Sequence, residues 1–266
     1  RLGQPAWRGL CADPREAATG AEAVMVCVGN DDDLRSVCLG EDGAFAGMSE
    51  GAIFVDHTTV SSKVTAELYE VAKENGFGFV DAPVSGGVAG AEAASLTFMV
   101  GGARADVDAA RPLLEVMGAR VVHCGGPGLG QAAKVCNNMI LAASQIVVAE
   151  AFVLGERLGL SHQALFDVAA HASGQCWALT TNCPVPGPVP SSPANRGFEP
   201  GFAGALMDKD LGLAEKAVEL TGVDARMGML ARTIYREFVD GGGAGRDFSG
   251  IIESVRAPSD DPRSTA

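Results

Sequence analysis

The 266-residue chain has no Cys-x-x-Cys pair and no zinc-type spacing between its four histidines and any cysteine or acid. Those gaps remove the usual ligand patterns of zinc sites, and no metal is expected. The seven cysteines are odd in number and several lie in apolar runs, as in Val26-Cys27-Val28. They read as buried thiols of a reducing compartment rather than a disulfide framework. No uninterrupted apolar run is long enough to cross a bilayer. The most apolar stretch, 135–149, is broken by Asn137, Asn138, Ser144 and Gln145 and reads as a helix buried in protein. No secretory leader is recognisable, so the expectation is a cytoplasmic protein, or a mitochondrial-matrix one in a eukaryote, with no membrane partner. Basic residues are also short: 20 Lys and Arg stand against 33 Asp and Glu, a net charge of −13. That repels phosphate backbones, and no nucleic-acid partner is expected. A small anionic substrate stays open, because a few local cations and backbone N–H groups can hold one carboxylate.

What is present begins as an alternation. Short apolar runs at 23–28 (AVMVCV), 52–56 (AIFVD), 78–81 (GFVD), 96–100 (LTFMV) and 120–124 (RVVHC) read as strands. Helical patterns lie between them at 61–75, closed by Gly76, and 104–117, closed by Gly118. Strands alternating with helices predict a largely parallel α/β sheet. After Gly130 the texture changes. One long helical pattern runs over 130–158 and another over 160–172, with Ser161 as N-cap. A proline-rich loop fills 183–200, further helices lie near 208–221 and 227–240, and Gly241–Gly245 reads as a flexible turn. The expected fold is α/β plus all-α: a Rossmann-like dinucleotide-binding domain at 1–126, N-terminally incomplete, joined by a long helix to an all-helical domain at 127–256. A small, polar and disordered tail is expected at 257–266.

The incompleteness is a reading of the first residues. A dinucleotide-binding half opens with a strand, a G-x-G-x-x-G turn and a helix. No such run precedes Ala23, and Gly3 lies too close to the first strand to stand in for it. The glycines at 241–245 follow no strand and make a loop, not a phosphate cradle. Either the chain binds no dinucleotide, or its first βα unit is absent from this sequence.

Three motifs carry chemistry. Asp81-Ala82-Pro83-Val84-Ser85-Gly86-Gly87 follows a strand, where α/β sheets bind ligands. Its glycines and the Ser85 hydroxyl suit a carboxylate; alone, the run could equally be a plain turn. In Gly128-Leu129-Gly130-Gln131-Ala132-Ala133-Lys134-Val135-Cys136-Asn137-Asn138, glycines lead into a helix that puts Lys134 and Asn138 on one face. A lysine in so apolar a stretch is either functional or snorkels to the surface. Partial burial would lower its pKa and ease proton exchange. Met207-Asp208-Lys209-Asp210-Leu211 reads as a helix start with acids favoured by the dipole, and Lys209 there is either solvated or functional.

In this order, D-A-P-V-S-G-G, G-x-G-Q-A-A-K-x-x-N-N and K-D-L-G-L-A resemble the β-hydroxyacid dehydrogenase family over about residues 23–255. Ser173-Gly174-Gln175-Cys176-Trp177 and Asn182-Cys183-Pro184-Val185-Pro186-Gly187 resemble the pattern of its 3-hydroxyisobutyrate dehydrogenase branch, and Phe248-Ser249 also fits. The resemblance implies an NAD-dependent enzyme, with NADP open, that oxidises a small 3-hydroxy acid, 3-hydroxyisobutyrate to methylmalonate semialdehyde in valine degradation. It places the catalytic acid/base on Lys134 and its partner on Asn138. It puts the substrate carboxylate on Ser85, Gly86 and Gly87. Cofactor contacts fall on Val28, Gly29, Asp33, Thr59, Phe202 and Lys209. Val28-Gly29 and Asp33 depart from the family's Leu-Pro and asparagine. A homodimer or homotetramer is expected. The rivals are a tartronate semialdehyde, succinic semialdehyde or glyoxylate reductase of the same family, and an inactive dehydrogenase-like fragment or scaffold.

Overall fold

The structure, a computed structural model, describes residues 10–256. The tail expected to be disordered at 257–266 lies outside the described residues. The described residues divide into two compact units, 10–86 with 90–134, and 87–89 with 135–256.

The first unit starts with α1 (Pro14–Ala18), capped by Asp13, and β1 (Ala23–Val26). There follow α2 (Asp31–Cys38), α3 (Ala44–Gly47), β2 (Ile53–Asp56) and α4 (Ser62–Glu74). Then come β3 (Gly78–Asp81), β4 (Val84–Ser85), α5 (Gly87–Glu92), β5 (Leu96–Gly102), α6 (Arg104–Met117) and β6 (Gly118–Gly125). The first strand is shorter than its apolar run: it ends at Val26, and Val28-Gly29 belong to the loop beyond it. β1, β2 and β3 pair in parallel, and so do β5 and β6. β5 meets β3 and β4 antiparallel. The sheet is therefore parallel-rich, as expected, with one reversed excursion. D-A-P-V-S-G-G is the outgoing arm of that excursion, and its Val84-Ser85 forms a two-residue strand.

Side chains alternate across the strands and build a core on each face. Phe54 and Phe79 join Leu34, Val64 and Leu68 on one side. Val55 and Val80 join Phe98, Val107 and Leu114 on the other. Burial on both faces is why these strands read as continuous apolar runs.

The second unit is helical. It contains most of α7 (Leu129–Arg157), α8 (His162–Ala169), α9 (Trp177–Thr180), α10 (Gly204–Thr221), α11 (Arg226–Phe238) and α12 (Ile252–Arg256). Ser161 caps α8 through the N–H of Ala164, at the position its sequence predicts. Phe152, Met207, Leu211, Tyr235, Phe248 and Ile251 fill the core. By length and composition alone α7 would suffice to cross a membrane, and half of its most apolar window is buried inside the protein. Ile140, Val147 and Leu154, seven residues apart, stay exposed along it.

Three local expectations are corrected. α10 begins at Gly204, so Asp208 and Asp210 lie beyond its first turn, which holds no acid. The start is set by packing: a Cβ at Gly204 would lie 2.6 Å from the Gly243 carbonyl oxygen. Gly241–Gly245 is only partly a turn: Val239–Gly243 is a π-helical segment broken at Gly242, where φ is +98°, Gly243 is buried against the Phe238 ring, and a turn follows at Ala244–Gly245. Of the cysteines only Cys38 and Cys183 are buried, while Cys11, Cys27 and Cys136 are exposed. Cys27 lies past the end of β1, and Cys136 faces outward on α7, so neither inherits the burial of its apolar neighbours.

Candidate active site

The carboxyl ends of the parallel strands carry the loops of the first unit. Asp56 and Asp81 sit side by side at the ends of β2 and β3, both fully buried. The Asp56 carboxylate accepts the Thr58 N–H at 2.8 Å, and the Thr58 hydroxyl accepts the Val28 N–H at 3.1 Å. Asp31, the first residue of α2, accepts from the Ser61 N–H and hydroxyl at 2.9 and 2.5 Å. The two loops that hold Val28, Gly29 and Thr59 are thus tied together by side chains. A Cβ at Gly29 would lie 2.6 Å from the end of the Asp33 side chain, so the two positions are immediate neighbours. The exposed Asp33 carboxylate accepts from the Asn30 amide at 2.8 Å.

These loops fit the uncharged part of a dinucleotide, which α/β sheets bind beyond the carboxyl ends of their strands. They do not fit a phosphate. The first turn of α2 carries Asp31, Asp32 and Asp33, whose charge cancels the helix end's attraction for anions.

Asp81 anchors the start of α7. Its carboxylate accepts the Gly128 N–H at 2.8 Å and the Gln131 N–H at 2.9 Å. Burial pushes its pKa up to about 6, against the pull of these backbone bonds. A Cβ at Gly130 would lie 2.4 Å from the Met99 carbonyl oxygen, and at Gly101 2.4 Å from Asp81. The glycines therefore serve the close approach of α7 to the sheet. Gln131 brackets Thr59: its amide donates to the Thr58 carbonyl at 2.6 Å and accepts from the Val60 N–H at 3.3 Å. One turn further on, Lys134 is 7% exposed and donates to the Val84 carbonyl at 2.9 Å. That burial removes the snorkelling alternative. Val84 pairs with Phe98 and Ser85 with Thr97, which fixes Ser85 within the same strand as the lysine's acceptor. Gly86 has φ +138° and Gly87 φ +63°, backbone that favours glycine.

The second unit presents its own polar chain. Asn138, buried on α7, donates to the buried Asp210 carboxylate at 2.5 Å and accepts from the Asn137 amide at 3.0 Å. Lys209 lies 3.3 Å from the other oxygen of Asp210. Asp247 gathers the Gly201 and Phe202 N–H groups at 3.0 and 3.1 Å, and the Asn182 amide at 3.2 Å. The Phe202 ring packs edge-on to Phe248. Within the first unit the structure brings together Val28, Gly29 and Asp33, Thr59, and Ser85, Gly86 and Lys134. Within the second it joins Asn138 to Lys209 through Asp210, and places Phe202 on Asp247. Sequence reading quoted Asp81, Gln131 and Asp210 within motifs but gave them no role, and did not single out Asp247. Their signal was faint: each is an acid or amide whose burial appears only in the fold.

Comparison with known proteins agrees with this architecture. Residues 7–126 match the NAD-binding domain of 6-phosphogluconate dehydrogenase. Residues 128–255 match the NAD-binding domain of NADP-dependent 3-hydroxyisobutyrate dehydrogenase. A probable 3-hydroxyisobutyrate dehydrogenase of Mycobacterium tuberculosis is 55% identical over 208 residues, 78% of this chain and 70% of that protein. An NAD-dependent L-serine dehydrogenase of Pseudomonas aeruginosa is 40% identical over 92% of this chain and 82% of its own. The solved M. tuberculosis 3-hydroxyisobutyrate dehydrogenase with L-serine superposes with a TM-score of 0.85 at 49% identity, covering 91% of this chain and 82% of that one. Fold, site and relatives define the class, an NAD(P)-dependent oxidoreductase. The chain belongs to the β-hydroxyacid dehydrogenase family.

Proposed function

We propose that the protein oxidises 3-hydroxyisobutyrate to methylmalonate semialdehyde, with Lys134 as acid/base. The observation that carries the reading is the buried Lys134 ammonium held on the Val84 carbonyl, beside Ser85 and the left-handed Gly86-Gly87 turn. The Ser85 hydroxyl and the N–H groups of Gly86 and Gly87 receive the substrate carboxylate. Lys134 in its uncharged form takes the proton of the substrate hydroxyl during oxidation, and in its charged form returns it during reduction. Asn138, one turn along α7, orients the reacting oxygen, with Asp210 holding its amide. A bound nicotinamide supplies the hydride acceptor. In the first unit Val28, Gly29, Asp33 and Thr59 contribute to holding it, and in the second Phe202 and Lys209. NAD is the proposed form, consistent with the acids on α2. The exposed row of Ile140, Val147 and Leu154 supports assembly as a homodimer or homotetramer.

The test is Lys134→Ala with cofactor affinity measured in parallel. Turnover is expected to fall on the order of 10²- to 10⁴-fold with cofactor binding unchanged. Near-normal turnover would sink the mechanism. A panel of 3-hydroxyisobutyrate, L-serine, tartronate semialdehyde, succinic semialdehyde and glyoxylate tests the substrate. The assignment fails if any of the others exceeds 3-hydroxyisobutyrate in kcat/KM.

A further inference from the structure

The histidine just beyond β2 has no part in the mechanism above. His57 Nδ1 lies 2.8 Å from the Ala82 carbonyl oxygen. A carbonyl can only accept, so Nδ1 carries the proton and Nε2 is a bare acceptor. Nε2 is buried and has no hydrogen-bond partner among the described residues. The ring stands against Phe98, centroids 5.3 Å apart. Adding a proton at Nε2 would bury a charge with nothing to balance it, and burial accordingly pulls His57 below the ordinary imidazole range. A sealed nitrogen cannot exchange protons with substrate, which removes His57 as an acid or base of the reaction.

Its fixed donor has a different consequence. Ala82 leads into the arm that carries the candidate substrate and lysine contacts. That arm is held at each step: the Ala82 N–H donates to the Asp56 carbonyl at 2.7 Å, and the Met99 N–H donates to the Pro83 carbonyl at 3.0 Å. Lys134 then meets the Val84 carbonyl. The Ala82 carbonyl itself is clamped by the His57 side chain. We propose that His57 is a positioning residue: its Nδ1–H pins the Ala82 carbonyl and so sets where the Val84 carbonyl, Lys134 Nζ and Ser85 stand. The proposal rests on the roles given above to Lys134 and Ser85.

His57→Phe keeps a ring against Phe98 and deletes the donor, while His57→Asn places an amide N–H near the position of Nδ1. With cofactor saturating, His57→Phe is expected to lower kcat/KM for the hydroxy acid about tenfold, the scale of a small misplacement. The KM for cofactor should stay within about twofold, and His57→Asn should recover to within about threefold of the parent. Two readouts do not depend on turnover. Nitrogen-15 spectra of the parent should show the neutral Nδ1–H tautomer. Reductive methylation of Lys134 should run at least about threefold faster in His57→Phe than in the parent or His57→Asn, because a displaced acceptor frees the amine. An Nε2–H tautomer, or parental kinetics and labelling in a folded His57→Phe, overturns the proposal. So does a change in cofactor KM as large as that for substrate. If the parent itself does not oxidise 3-hydroxyisobutyrate, the functional reading fails, while the tautomer and the labelling rates still decide the role of His57.

Discussion

The two units grip α7 by different means. In the first, Asp81 holds backbone: its two oxygens take the N–H groups of Gly128 and Gln131, and Gly130 lets the helix end touch the sheet. In the second, side chain holds side chain, Asn138 to Asp210 and Asp210 to Lys209. A backbone grip depends on space and on one carboxylate. A side-chain chain depends on its members being matched, because Asn138 and Asp210 are buried and an orphaned partner there is costly.

That contrast can be broken from either side. The largest effect is expected from Gly130→Ala, which drives a Cβ to 2.4 Å from one backbone carbonyl oxygen and 2.6 Å from another. Neither can swing aside, so the stability loss should reach about 2–3 kcal/mol, with turnover falling as Lys134 shifts. Urea denaturation together with kcat would check both, and a neutral result would refute the space argument. Asp210→Ala should come next. It removes the acceptor of the buried Asn138 amide and the carboxylate beside Lys209, for a loss of about 1–3 kcal/mol and a lower kcat/KM. If only stability moves, the chain from Asn138 to Lys209 is structural.

The smallest effect is a change of pH slope. Asp81 is raised from 3.8 to about 6, so between those values the folded state binds more protons than the unfolded one. Its contribution is therefore full below about 4 and is lost as pH rises through about 6. Stability of the parent minus that of Asp81→Asn should fall over this window and stay flat above it. Denaturation midpoints of both proteins at several pH values would show the difference. A flat difference throughout would mean that Asp81 titrates normally.

Much of the fold was legible because it rests on period and on caps. The strand at 78–81, the helix at 104–117 and the Ser161 cap were each readable from neighbours a few residues apart. The exposed Cys27 was not, because strand length depends on where the partner strand stops. Nor was the π-helical turn at Val239–Gly243, where glycines signal freedom and Phe238 supplies packing. The candidate site divides in the same way. Ser85, Lys134, Asn138 and Lys209 stood out by motif. The roles of Asp81, Gln131, Asp210 and His57 did not, since each acts on an atom 25–73 residues distant in sequence.

By itself, the sequence determined the alternation of strands and helices, the passage to a helical second half, and the family, since these follow from side-chain period and ordered motifs. Only the tertiary structure decided that Lys134 is buried on a carbonyl instead of reaching solvent. It also decided that Gly130 admits the end of a helix to the sheet. Burial and hydrogen-bond partnership depend on what the rest of the chain brings to a residue, and no local pattern records that.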